Sequence, residues 1–205
     1  MDLSSPNAQF TFDLNKSPLF IKDSQNYINV AGRKQVNTLK HNSLLDIFLS
    51  KGNIIEPHYH QNASELIYCI SGSVTVSFLH PFTKQLMHFT LTPGQIVNIP
   101  RGWWHYIVTL VDRTHLLAIF DAPNPEVILG SDILTFTPAS IIARTYGIDE
   151  NLWKQAVAPV KAATFIGSGK AGTKPLENIP FLSHTFNGFQ QDPFQTYRPP
   201  YYGNY

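Results

Sequence analysis

An all-β barrel or sandwich, followed by a short helical hairpin and an extended tail, is the fold that this 205-residue sequence predicts. Three observations predict it. From about Val36 to Asp121, short runs rich in Val, Ile, Phe and Leu (SLLDIFLS, ELIYCI, SVTVSFL, HLLAIF) alternate with Gly, Pro, Asn and Asp. Strands at such regular spacing suit a sandwich or barrel better than βαβ units. After Pro138 the apolar spacing becomes helical; the sequence changes again from about Gly167, and the end FNGFQQDPFQTYRPPYYGNY has almost no aliphatic residues.

In chain order, residues 1–35 mix aromatics with turn formers and read as an arm or a few short strands. Residues 36–166 form the barrel with its hairpin. Within the hairpin, PASIIARTYGI has Pro near its start, and DENLWKQAVA opens on an Asp in N-cap position. Such a hairpin either closes the barrel or packs against a partner subunit. Residues 167–205 comprise the linker GSGKAGTKP and a Tyr/Pro/Gln-rich end that cannot build a core. A disordered tail and an aromatic arm that docks on a neighbour are both compatible with it.

Composition excludes several classes. The net charge is +1 with no dense Lys/Arg block, which argues against nucleic acid or an anionic membrane as partner. No apolar run approaches the roughly 20 residues that span a bilayer. The single cysteine, Cys69, rules out an internal disulfide framework and suits a reducing compartment. MDLSSPNAQF lacks the basic and apolar regions of a signal peptide, which predicts cytoplasmic synthesis.

The chemistry concentrates in GNIIEPHYHQNASELIYCISG. On a strand, residues i and i+2 share a face, so His58 and His60 project together while Tyr59 points away. The turn-forming QNAS folds the strand back and returns Glu65 to the histidine face, with Ile67 and Cys69 beside it. A second segment, GQIVNIPRGWWHYIVT, leads through a tight turn to His105, a third imidazole. Three imidazoles and a carboxylate suit a divalent ion that keeps open positions. Mn²⁺ and Fe²⁺ fit best, and Ni²⁺, Cu²⁺ and Zn²⁺ are compatible. His41, His80, His88, His115 and His184 lack ligand spacing and are expected in loops or at strand ends. Trp103 and Trp104 are read as core or oligomer contacts, Cys69 as a buried inert thiol, and Arg101 as a surface residue.

In their order and spacing, Gly52, His58, His60, Glu65 and Gly72, then Gly94, Pro100, Gly102 and His105, resemble the two cupin motifs. Thr109 stands where the second motif usually has Asn, a position that is not a ligand in the family. The resemblance implies a jelly-roll barrel with a metal held by His58, His60, Glu65 and His105. Over roughly residues 10–165 the chain is most similar to one half of a bicupin oxalate decarboxylase, with germin-like proteins next. Two departures concern activity. Ile55 occupies the position of the arginine that grips the substrate carboxylate in the decarboxylases, and an aliphatic chain cannot replace a guanidinium fork. The lid stretch DAPNPEVILGSD is about three residues shorter than in that family and has Glu126 as its one glutamate, the candidate proton donor.

Two readings of function follow. One is a Mn- or Fe-dependent decarboxylase or dioxygenase acting on a small carboxylic acid or other oxygenated substrate. The other is a structural cupin of a spore coat or similar layer that assembles through its aromatic tail. The resemblance also implies a homo-oligomer.

Overall fold

The structure, a computed structural model, describes residues 2–167. The predicted tail lies outside these residues from residue 168 onward, and His184 with it. A 3-10 turn at Leu14–Lys16 leads into β1 (Pro18–Asp23), β2 (Asn26–Ala31), β3 (Ser43–Leu49), β4 (Ile54–Tyr59), β5 (Glu65–Ser71) and β6 (Val74–Leu79). Then come β7 (Leu86–Leu91), β8 (Ile96–Ile99), β9 (His105–Thr109), β10 (Thr114–Phe120) and the short β11 (Ile128–Leu129). Three helices follow, α1 (Gly130–Phe136), α2 (Ala139–Tyr146) and α3 (Glu150–Val157), before β12 (Ile166–Gly167).

The strands form two antiparallel sheets. One has the order β1-β2-β3-β10-β5-β8. The other has β11-β4-β9-β6-β7, with β12 also on β4. The N-terminal strands are continuous with the first sheet, since β2 pairs with β3 along its length. Period-2 alternation turns Ile67, Cys69, Leu116, Ala118 and Phe120 inward, all essentially without exposure. Burying each large aliphatic or aromatic side chain contributes about 1.5–3 kcal/mol. Thr109 is also buried, and its hydroxyl has no hydrogen-bond partner.

The sequence reading has β4 folding back beside β5 through QNAS. The structure differs: β4 pairs with β9, β11 and β12, whereas β5 pairs with β10 and β8 in the opposite sheet. The connection therefore crosses the sandwich. The turn at Pro100–Gly102 does the same, carrying the chain from β8 to β9 in the other sheet. The two crossings touch, because Gly102 N–H donates to the His60 carbonyl (2.9 Å). The motif glycines mark sharp turns with positive φ. At Gly72 (φ 82°) a Cβ would also overlap Thr114, so only glycine fits.

The predicted hairpin is present as α2 and α3. Gly147 ends α2 in the left-handed conformation (φ 67°), and the Asp149 side chain accepts from the N–H groups of Asn151 and Leu152 to cap α3. The sequence reading has no helix corresponding to α1. His88 lies in the middle of β7, bonded to Ser77 Oγ at 2.8 Å, rather than in a loop or at a strand end.

Candidate metal centre

Three of the four predicted ligands come from one sheet or its edge, and the fourth comes from the other. In the pairing of β4 with β9, Ile55 lies opposite Ile107 and His58 opposite His105. Two residues on β4, Glu56 and Pro57, thus lie opposite one on β9, Tyr106, which makes a bulge. The bulge also accommodates Pro57, which has no N–H to donate within a central strand. It sets the imidazoles of His58 and His105 directly across from each other, with ring centroids 4.0 Å apart. His60 follows at the start of the crossing, and its ring is 5.1 Å from that of His58. Glu65 opens β5 and faces them across the interior. Its Oε2 lies 2.8 Å from His105 Nε2 and 3.5 Å from His60 Nε2.

All four side chains are buried, and one potential ligand atom from each lies within 4.8 Å of the others. The outer ring nitrogens settle which atoms these are. His58 Nδ1 donates to the Glu56 carbonyl (2.6 Å), His60 Nδ1 to the Glu126 carbonyl (2.8 Å), and His105 Nδ1 to the Trp103 carbonyl (2.8 Å). A carbonyl can only accept, so each Nδ1 carries a proton. In a neutral ring the Nε2 lone pair is then left for the centre. Three such lone pairs and a carboxylate converge where only a cation or protons can satisfy them. The donor set fits a divalent ion.

The electrostatics agree. Burial and the neighbouring His105 hold His58 well below the ordinary imidazole value. Burial pushes His60 down as well, but the hydrogen bond and charge of Glu65 outweigh it and leave His60 raised. For Glu65, burial pushes up, and the combined hydrogen bonds and charges of His105 and His60 hold the carboxyl far below the usual range. The cage thus favours an anionic Glu65 facing positive charge.

The centre opens into a cavity of about 260 Å³. Ile55 is buried in its wall, and Pro125 and Val127 line it. Glu126 lies between these two, but its side chain is exposed and accepts from Gln61 Nε2 (3.1 Å). The structure therefore places Glu126 beside the site, and its main-chain carbonyl is the part that reaches a candidate ligand, His60. Trp103 packs on Phe78 and His80 (5.5 and 4.8 Å), and Trp104 packs beside Gly130 under α1. Cys69 is buried, which raises its thiol pKa, and Arg101 is exposed.

Glu56 is the residue that the sequence reading missed. Its carboxylate is buried, accepting from Ser131 N (2.8 Å), Ser131 Oγ (3.0 Å) and Phe165 N (2.8 Å). Its carbonyl holds His58, so one residue joins the ligand strand, the start of α1 and the β12 segment. The available signal was a charged residue inside an otherwise apolar strand run, IIEPH.

A two-sheet antiparallel sandwich enclosing a His₃–carboxylate cage defines the class of protein, a β-sandwich with a candidate divalent-metal centre. A family model described as Cupin matches residues 13–154, most of the chain, and the chain belongs to that family. Germin-like protein 1-2 of Oryza sativa subsp. japonica is 27% identical over 108 residues, 50% of this chain and 48% of that protein. A probable oxalate decarboxylase of Arthroderma benhamiae is 23% identical over 167 residues, 75% of this chain and 38% of that protein. Oxalate decarboxylase from Bacillus subtilis superposes with a TM-score of 0.68 at 18% identity, over 85% of this chain and 46% of that one. At that identity the superposition shows the shared fold. The chain spans about half or less of the length of these proteins. Among the described residues, no helix is long and apolar enough to cross a membrane.

Proposed function

We propose that this chain is a metal-dependent cupin that holds Mn²⁺ or Fe²⁺ and acts on a small oxygenated acid. The observation that carries the reading is the set of three Nδ1–carbonyl bonds, which turn three imidazoles toward Glu65 before any ion arrives. Mn²⁺ is favoured because solved structures similar to this chain include the Mn(II) centres of Bacillus subtilis oxalate decarboxylase. His58, His60, His105 and Glu65 would hold the ion, which supplies Lewis-acid polarisation of substrate oxygens. The surrounding, largely aliphatic wall offers substrate oxygens few competing hydrogen-bond donors, with Lys34 and Asn124 out at the rim. Ile55 in that wall separates this chain from the oxalate chemistry of its relatives, because no guanidinium is present there to grip a second carboxylate.

Elemental mass spectrometry on protein made with Mn and Fe both available tests the centre. About one Mn or Fe per chain is expected, lost in a His60→Ala control. Equal trace metal in both proteins would sink the proposal.

The same reading includes a homo-oligomer, in which a second copy covers the outer face of the β1–β8 sheet. In the register, Asn29, Asp46, Leu117, Tyr68 and Ile96 form one continuous row across five strands. Tyr68, Ile70 and Ile96 are exposed, and the one carboxylate on the outward face of β2, β3, β10, β5 and β8, Asp46, is paired with His115. A largely apolar face whose one carboxylate is already paired is complementary to itself and disfavours a charged partner. Sedimentation should show a dimer or larger species that Ile96→Lys dissociates; a monomer for the unaltered chain would exclude the assembly.

A further inference from the structure

We infer that the cavity takes an amphiphilic ligand, a monoanionic oxygen chelator such as a 2-oxo acid with an aliphatic chain of about four to six carbons, rather than a small dianion. This inference rests on the metal-centre reading above. It stands on the arrangement of the cavity wall.

The buried end of the cavity is the cage itself, where His58, His60 and Glu65 supply the lining. Beyond it the wall is largely aliphatic, with Ile28, Ile47, Ile55, Ile107, Val127 and Leu129; Phe165 and the half-buried Gln35 also line it, the Gln35 amide being engaged by Gly32 N–H and Ser17 Oγ. All of those aliphatic residues but Val127 are buried. Leu19, Lys34 and Asn124 are exposed members of the lining, so they mark the opening. Lys34 is the one Lys or Arg in the lining, and it sits at the rim, away from the buried end.

Two consequences follow for a ligand whose oxygens face the cage. A second carboxylate carried past the chelating head would meet Ile55, Ile107 or Leu129, lose its water and find no donor, which is strongly unfavourable. An alkyl chain in the same place exchanges water for aliphatic contact. Size points the same way. At about 30 Å³ for each water-sized group, the 260 Å³ cavity holds roughly nine such groups. Oxalate, with two carbons, would leave the aliphatic wall facing empty space or water. A chelating head plus four to six carbons fills it.

The test titrates pyruvate, 2-oxobutanoate, 2-oxohexanoate, 2-oxooctanoate and oxalate against Mn-loaded protein, following binding by water-proton relaxation of the bound Mn²⁺. Metal content is measured on the same samples. Burial of each methylene should tighten binding about fourfold, so 2-oxohexanoate should bind roughly 50-fold more tightly than pyruvate and more tightly than oxalate. Val127→Phe narrows the cavity without touching a ligand, and it should move the best chain length to a shorter acid. Ile55→Arg, checked for folding by circular dichroism, should weaken 2-oxohexanoate and strengthen oxalate. A flat chain-length series on fully loaded protein, or oxalate as the tightest ligand of the unaltered chain, would overturn the inference while leaving the metal centre standing. A chain that takes up no metal overturns both.

Discussion

Thermal unfolding of a Glu56→Ala variant should fall by roughly 6–20 °C. Glu56 is 7% exposed, and its two oxygens accept three hydrogen bonds, two of them from main-chain N–H groups. Truncation leaves the buried Ser131 N and the half-buried Phe165 N without an acceptor. Each orphaned donor costs about 1–3 kcal/mol, giving about 3–5 kcal/mol in all after the carboxylate's own desolvation is relieved. For a chain of this size each kcal/mol moves the midpoint by about 2–4 °C. Glu56→Gln keeps the shape and one acceptor, and it should lie between the alanine variant and the unaltered chain. Metal content should remain, because His58 is held by the Glu56 main-chain carbonyl rather than by the side chain. A midpoint within a degree of the unaltered protein would mean that water replaces the carboxylate and that the network does not tie the segments together.

The second large effect concerns pH. Without metal, His60 has a folded-state pKa above its ordinary 6.5, because its pairing with Glu65 outweighs the opposing effect of burial. That pairing stabilises the metal-free fold fully below pH 6.5, and the contribution is lost as pH rises through the raised value. Glu65 has the opposite sign: its carboxyl is held below its ordinary 4.5, so its contribution is present above 4.5 and lost only in strong acid. An ion needs His60 unprotonated, so proton and metal compete for it. Affinity for Mn²⁺ should be constant above the raised His60 value and fall about tenfold per pH unit below it, one proton being displaced for each ion bound. His58, held well below the ordinary range, adds no proton to this competition near neutrality. The midpoint difference between loaded and metal-free protein should therefore widen from pH 6 to pH 8. A difference independent of pH over that interval would mean that His60 is not a ligand.

Much of this molecule was legible in one dimension because the relevant constraints are local. Alternation along ELIYCI and HLLAIF places the buried residues of β5 and β10, since a strand repeats every two residues wherever it sits. The caps of α2 and α3 could be read in the same way, since Gly147 and Asp149 act within their own turns. The four candidate ligands were legible from two motifs with fixed spacing, and the structure brings those four together.

What escaped the sequence depends on contacts between distant segments. Helix α1 has seven residues and Leu129 at its N-cap, with no side-chain cap of its own. The acceptor for its second N–H is the Glu56 carboxylate, 75 residues earlier, and the one local contact at its start is Asp132 Oδ2 accepting from Leu129 N–H. QNAS reads as a turn, but nothing within four residues distinguishes a hairpin from a crossing between sheets. That is decided by which strands lie beside β4 and β5, through main-chain bonds that are the same for every residue type. Composition could suggest an apolar interior around Ile55, but only the packing of side chains from seven strands leaves a cavity there and aims it at the cage. The sequence by itself determined the candidate ligands and the strand periodicity, because those are properties of neighbours along the chain. The tertiary structure alone decided the crossing that sets Glu65 against three histidines and the shape of the space in front of them, because both arise from packing between elements far apart in sequence.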